Sequence, residues 1–295
     1  MRVYTYGTHM SVGICILGQV ERLEWGSKVS HLIVPTLNRD IPVGISLVLS
    51  DGPARFTNSF SNILKPLFPS IAAFRKKVKQ LTKLYSKGRL HILSLNHTVI
   101  TLTHKIGWLK YLDKHKTLSR QRSHMMQFEH SYRCAQTMEI LDASLSASVS
   151  IVIKMRDDSR VMVPWVPNMQ IGPELKTLKC MKHGGIMDAQ YMGERSAMVR
   201  ALSSMYQDWK STNNKPYRNP EQWMRDSFRR HSVRWTGEGL CSLPMLSVRV
   251  DAHGNLTLKR YHKSAARSCY DGEDTCGLRK AANRIPMCPL NLCNS

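Results

Sequence analysis

The sequence predicts an α/β fold, a mostly parallel sheet flanked by helices, and three observations predict it. Two short β-rich runs, "VGICILGQ" at 12–19 and "IPVGISLVLS" at 41–50, flank a stretch that sets Leu23, Val29, Leu32 and Ile33 at roughly helical spacing. Strand, helix and strand in such close succession form a βαβ unit with parallel strands. A later run, "SVSIVIKM" at 148–155, is nearly all apolar, as a strand covered on both faces would be. Ahead of it, Met126, Tyr132, Cys134, Met138 and Leu141 recur at helical spacing and predict a helix over 123–141.

The other elements follow in chain order. "RLHILSLN" at 89–96 comes after a long basic amphipathic segment and reads as a further strand. "GGIMDAQYMGERSAMVRALSSMYQDW" at 184–209 opens with a Gly pair and Asp188, then continues as a helix. "NPEQWMRDSFRRH" at 219–231 is a second helix, with Asn219 as N-cap and Pro220 in the first turn. Glu221 sits in that turn, where the helix dipole favours a carboxylate, so capping alone accounts for it. "LSVRVDAHGNLTLKRY" at 246–261 reads as a hairpin turning at His253-Gly254-Asn255.

Composition narrows the function classes. With 295 residues and 42% apolar content, the chain can bury a sizeable core. No window approaches the ~18 consecutive apolar residues of a membrane span, and the first residues lack the layout of a secretory signal. Lys and Arg number 43 against 21 Asp and Glu, a net charge of +22 that would suit anionic partners. Thirteen of those cations fall between Arg75 and Arg122, against the single acid Asp113. Aromatics there are too few and irregular for a base-stacking platform, so nucleic acid is not the expected partner. Neither a P-loop, nor G-x-S-x-G, nor a complete G-x-G-x-x-G is present.

Cysteine placement is uneven. Cys15, Cys134, Cys180 and Cys241 are scattered, whereas Cys269, Cys276, Cys288 and Cys293 crowd residues 266–295. Without a tight C-x-x-C knuckle, that tail reads as a loop pinned by disulfides, with free cytosolic thiols as the plainer alternative. The acceptors Asn96-His97-Thr98 and Asn255-Leu256-Thr257 are compatible with glycosylation in an oxidising compartment.

Acid is scarce in this chain, yet "VIKMRDDSRVMVP" at 152–164 sets Asp157 beside Asp158 at the end of a buried strand. Ligands of open α/β sheets bind outside the carboxyl ends of the strands. Carboxylates there can hold Mg²⁺ or Mn²⁺ through oxygen. Aspartate is equally at home in a turn, where it caps its own backbone. Spacing leaves both readings open.

Several blocks together resemble the GT-A-type nucleotide-sugar glycosyltransferases, in particular a poorly characterised group from protists and plants. They are "VGICILGQVERLEWGSKVSHLIVP", "VGISLVLS", "SIVIKMRDDSRVMVP", "GGIMDAQYMGERSAM" and "NPEQWMRDSFRRH", which run from about residue 12 to 235. The resemblance implies a GT-A-like, Rossmann-like domain over 1–265, with a nucleotide-binding half at about 12–165 and an acceptor half at about 166–265. It also implies transfer of a sugar from a nucleotide diphosphate to an unknown acceptor. On these positions Asp157 and Asp158 would hold a divalent cation, Mn²⁺ or Mg²⁺, against the diphosphate. Gly18, Gln19, Arg22 and Arg156 would contact the donor, and Asp188 or Glu221 would serve as base. An ordinary strand-to-helix turn explains Gly18-Gln19 almost as well.

One departure from the pattern stands out. The family's Asp-x-Asp is here Asp157-Asp158-Ser159. If a single carboxylate reached the ion, Arg156 or Lys154 could serve the diphosphate instead. Family resemblance and cysteines together point to the secretory pathway or Golgi lumen, with a cytoplasmic site left open because no targeting signal is seen. A basic polyanion- or nucleic-acid-binding protein, a glycosyltransferase-like module without turnover, and a disulfide-held secreted module remain the alternatives.

Overall fold

The structure, a computed structural model, describes residues 10–50, 71–85, 89–96, 118–145, 147–179, 185–211, 220–250 and 256–258. The Cys-rich tail, the hairpin turn at 253–255, Asn219 and most of the basic stretch between Arg75 and Arg122 lie outside them.

Strands β1 (Ser11–Gln19), β2 (Val43–Ser50), β3 (Leu90–Asn96) and β4 (Val149–Arg156) pair in parallel and form one side of a seven-stranded sheet. The other side is built from β6 (Leu175–Leu178), β7 (Gln190–Glu194) and β8 (Trp235–Glu238), giving the order β3-β2-β1-β4-β7-β6-β8. Only β7 runs against the rest, being antiparallel to both β4 and β6. A small sheet, β10-β9-β5, joins β5 (Ser159–Val161) to β9 (Met245–Val250) and β10 (Leu256–Leu258).

Helices cover both faces. Trp25–Ser27, Lys28–Ile33 and Val34–Leu37 run on as one helix, α1, whose middle is π-helical. With α2 (Ile71–Leu84) it covers one face, where Trp25 and Phe74 meet edge to face at 5.3 Å. On the opposite face lie α3 (Leu118–Gln136), α4 (Met138–Leu145), α5 (Arg195–Ser211) and α6 (Pro220–Arg230). The alternation of side chains along a strand divides β1 between the two cores. Val12, Ile14 and Ile16 pack with Leu32, Ile33 and Phe74, whereas Cys15 and Leu17 pack with Met125, Phe128 and Met138. Cys15 and Cys134 form a disulfide that ties the central strand to α3. Cys241 is disulfide-bonded as well.

Two expectations change in detail. The helix expected over 123–141 is broken at Thr137, whose hydroxyl donates to the Cys134 carbonyl at 2.7 Å and separates α3 from α4. The segment 184–209 holds β7 before its helix, because a five-residue strand is too short to leave a period in the sequence. No helix among the described residues is long and apolar enough to cross a membrane.

Candidate functional site

Where the strand order turns back, between β1 and β4, an open α/β sheet leaves a crevice at its carboxyl edge. A shallow cleft, open to solvent, lies there. Leu17, Gly18 and Gln19 line it from the end of β1, Ser50 from β2, and Lys154, Arg156 and Asp157 from β4 and the turn beyond. Arg22 comes from the turn after β1, and Met126, Gln127 and His130 make a wall on α3. Three cationic side chains, Arg22, Lys154 and Arg156, therefore converge on one opening.

The two aspartates of the turn have different surroundings. Asp157 is completely buried. Its Oδ2 accepts from the Gln19 amide at 2.8 Å and from Arg22 Nε at 2.9 Å, with Arg22 Nη2 at 2.7 Å. Its Oδ1 accepts from the Asp158 amide at 2.9 Å. Gly18 makes this possible, since its φ of +138° is open to glycine and a Cβ there would come within 2.3 Å of Asp157 Cγ. Close approach of protein to protein thus accounts for this glycine.

Beneath the turn, Lys28 is buried, and its ammonium donates to the carbonyls of Glu24 (2.8 Å), Asp157 (3.0 Å) and Ser159. Burial lowers its pKa to about 8 against the opposing pull of Glu24, Asp157 and Asp158. Glu24 pairs with Arg160 at 3.3 Å and accepts from Ser27. The Ser159 hydroxyl accepts from the Arg156 amide at 3.2 Å, and the Val161 amide donates to Ser27 Oγ at 2.9 Å. These bonds fix where the chain leaves the large sheet and enters the small one.

On the cleft side, Asp158 faces Arg156, with Nε 3.2 Å from Oδ1 and Nη2 3.4 Å from Oδ2. Arg156 Nη1 also lies 3.6 Å from Asp188 Oδ2. Burial opposes the guanidinium charge, but Asp158, Asp188, Asp157 and Glu221 outweigh it and hold its pKa above the ordinary value. Lys154 donates to the backbone carbonyls of Asp188 and Ala189 and sits 5.1 Å from the Tyr191 ring centroid. Burial lowers it to about 8, against the pull of Asp188. Glu221 occupies the first turn of α6, and its carbonyl accepts from the Ile186 amide at 3.2 Å. A Cβ on Gly185 would meet that backbone at 2.1 Å, so a glycine is required where the loop crosses the helix.

The structure thus gathers Gly18, Gln19, Arg22, Arg156, Asp157, Asp158 and Asp188 at one strand edge, with Glu221 close enough to act on Arg156. Lys28 and the Glu24–Arg160 pair were missed by sequence reasoning. An i,i+4 Glu24–Lys28 pair was their only signal, and it reads as an ordinary surface pair. His130 was missed too, since nothing in "QFEHSYRC" shows which side of the helix meets the cleft.

These side chains do not fit a divalent ion as they stand. Both Asp157 oxygens are taken by protein donors, and Asp158 and Asp188 both face Arg156. Among the described residues, no three His, Cys, Asp or Glu side chains form a group that could hold a metal.

No family model matches the chain, and no curated protein matches it. Among solved structures, a transferase mutant with two cysteines replaced by serine is similar at a TM-score of 0.38 and 11% identity, over 75% of this chain and 83% of its own. At that distance the likeness is silent on activity.

Proposed function

We propose that the cleft binds the diphosphate of a nucleotide-sugar donor and that the protein is a transferase of the glycosyltransferase kind. The convergence of Arg22, Lys154 and Arg156 at the switch point of the sheet carries this reading. Guanidinium groups pair with phosphate oxygens through two parallel hydrogen bonds, and negative charge grows on the leaving diphosphate as the glycosidic bond breaks. In the transfer, an acceptor hydroxyl oxygen bonds to the anomeric carbon, and the bond from that carbon to the β-phosphate oxygen breaks. The bonding pair stays on the diphosphate, and the hydroxyl proton passes to a carboxylate. Asp188 and Glu221 are the candidates, because Asp188 lies 3.6 Å from Arg156 and Glu221 is close enough to act on the same guanidinium. Gln19, whose backbone amide holds Asp157, lines the same cleft and is the candidate contact for the nucleoside.

The Cys15–Cys134 disulfide supports placing the protein in an oxidising compartment such as the secretory pathway. A panel of UDP, GDP, CMP and their sugars, run with Mn²⁺ present, tests the reading by thermal shift and by release of the free nucleotide. One nucleotide class should raise the melting temperature through selective binding to the folded state, and its sugar should be transferred or hydrolysed. Polyanion binding is the second reading, favoured by the exposed cations Arg75, Lys76, Lys79 and Lys83 on α2. Retention on heparin that resists moderate salt, with no nucleotide shift, would replace the first reading with it.

A further inference from the structure

We infer that donor binding in this cleft needs no divalent cation, because the Arg156 guanidinium fills the place between Asp158 and Asp188 that an ion would take. The inference rests on the proposed function and concerns the same site. A hard cation such as Mg²⁺ needs oxygen ligands free to turn towards it, with waters completing an octahedron. Asp157 has none to give: it is completely buried and bonded through both oxygens to Gln19, Arg22 and Asp158. The remaining carboxylates face a cation already, at 3.2 Å for Asp158 and 3.6 Å for Asp188. An incoming ion would have to displace Arg156 while facing the positive charge of Lys154 in the same cleft.

The charge balance is met without it. Arg156 and Lys154 together bring the two positive charges that one divalent ion would bring. Asp158 and Asp188 then act as the anchors that aim the guanidinium, and Ser159 holds the Arg156 backbone at the start of the turn. The departure from Asp-x-Asp is then part of the design of the site, since the buried Ser159 hydroxyl also donates to Gln190 Oε1 at 3.3 Å, which a carboxylate at 159 would not.

Calorimetric titration of the full chain with the nucleoside diphosphate chosen by the panel tests this, in EDTA and in millimolar Mn²⁺ or Mg²⁺. Affinity in EDTA should lie within about threefold of that with metal. Arg156→Ala should weaken binding in EDTA about 10- to 100-fold, the range for losing charged hydrogen bonds. Arg156→Lys should recover part of the loss, which a purely structural defect would not allow. Mn²⁺ added alone, followed by electron paramagnetic resonance, should leave the native protein unaltered and should bind Arg156→Ala, where Asp158 and Asp188 are released. Binding at least tenfold tighter with metal, or Mn²⁺ taken up by the native protein and lost in Asp158→Asn, overturns the inference while leaving the proposed function intact. Absence of nucleotide binding with and without metal overturns both.

Discussion

The two sides of the Asp157–Asp158 turn are built from the same chemistry and end in opposite conditions. Under the turn, Glu24, Lys28 and Arg160 meet carboxylates and carbonyls at hydrogen-bonding distance, and Asp157 and Lys28 are completely buried, while Arg22 belongs to both sides, paired with Asp157 and lining the cleft. Above it, Lys154, Arg156, Asp158 and Asp188 are also paired, yet Lys154 and Arg156 line an opening to solvent. A buried charge costs several kcal/mol unless its partners are complete, so the lower set has little freedom to differ. The upper set can exchange a protein partner for a ligand. Identical residue types thus serve the fold on one side and recognition on the other.

The largest effect should come from the lower side. Asp157→Ala leaves the Arg22 guanidinium without its carboxylate, and stability should drop by about 3–5 kcal/mol in urea unfolding. A loss under 1 kcal/mol would erase the distinction between the two sides. Gly18→Ala forces a Cβ against Asp157 at a positive φ, which should cost about 1–3 kcal/mol; an unchanged melting temperature would contradict that close approach. Arg156→Ala should instead act mainly on nucleotide affinity, with a smaller stability change than Asp157→Ala in the same assay.

The smallest effect is a pH signature that separates the two lysines. Lys28 and Lys154 both stand at about 8 in the folded protein, lowered by burial from the ordinary 10.5. Between those values the unfolded chain binds more protons than the native one, so stability should rise with pH from about 8 to about 10.5. Nucleotide affinity should fall through about 8 as Lys154 loses its charge. Lys28→Met should flatten part of the stability slope and leave the affinity profile in place, whereas Lys154→Met should flatten the affinity profile. An affinity profile unaffected by Lys154→Met would remove that lysine from the site.

How much of this was legible in the sequence differs between the halves of the sheet. The parallel half announces itself, because Val12–Leu17, Val43–Leu49 and Ile151–Met155 are buried on both faces and so are nearly all apolar. The other half is built from "LKTL" and "WTGE", four-residue strands with no clear alternation, and from the reversed β7. At the site, Arg156, Asp157 and Asp158 were visible because they end a buried strand. Their division of labour was hidden, since the bond that commits Asp157 to Arg22 spans 135 residues. That Arg156 lies between Asp158 and Asp188 was hidden as well, because spacing reports the presence of acids and is silent on which side chain faces them.

Cys15 and Cys134 are 119 residues apart, and their bond closes a covalent ring that holds β2, α2 and β3. A protease that cuts the chain once inside this ring cannot release either piece. Nicked protein should keep its full mass on a non-reducing gel and fall into two bands when thiol is added. The ring also means that a cut there leaves the strand and the cleft wall it tethers in one molecule, so a nicked preparation can still hold its binding edge together.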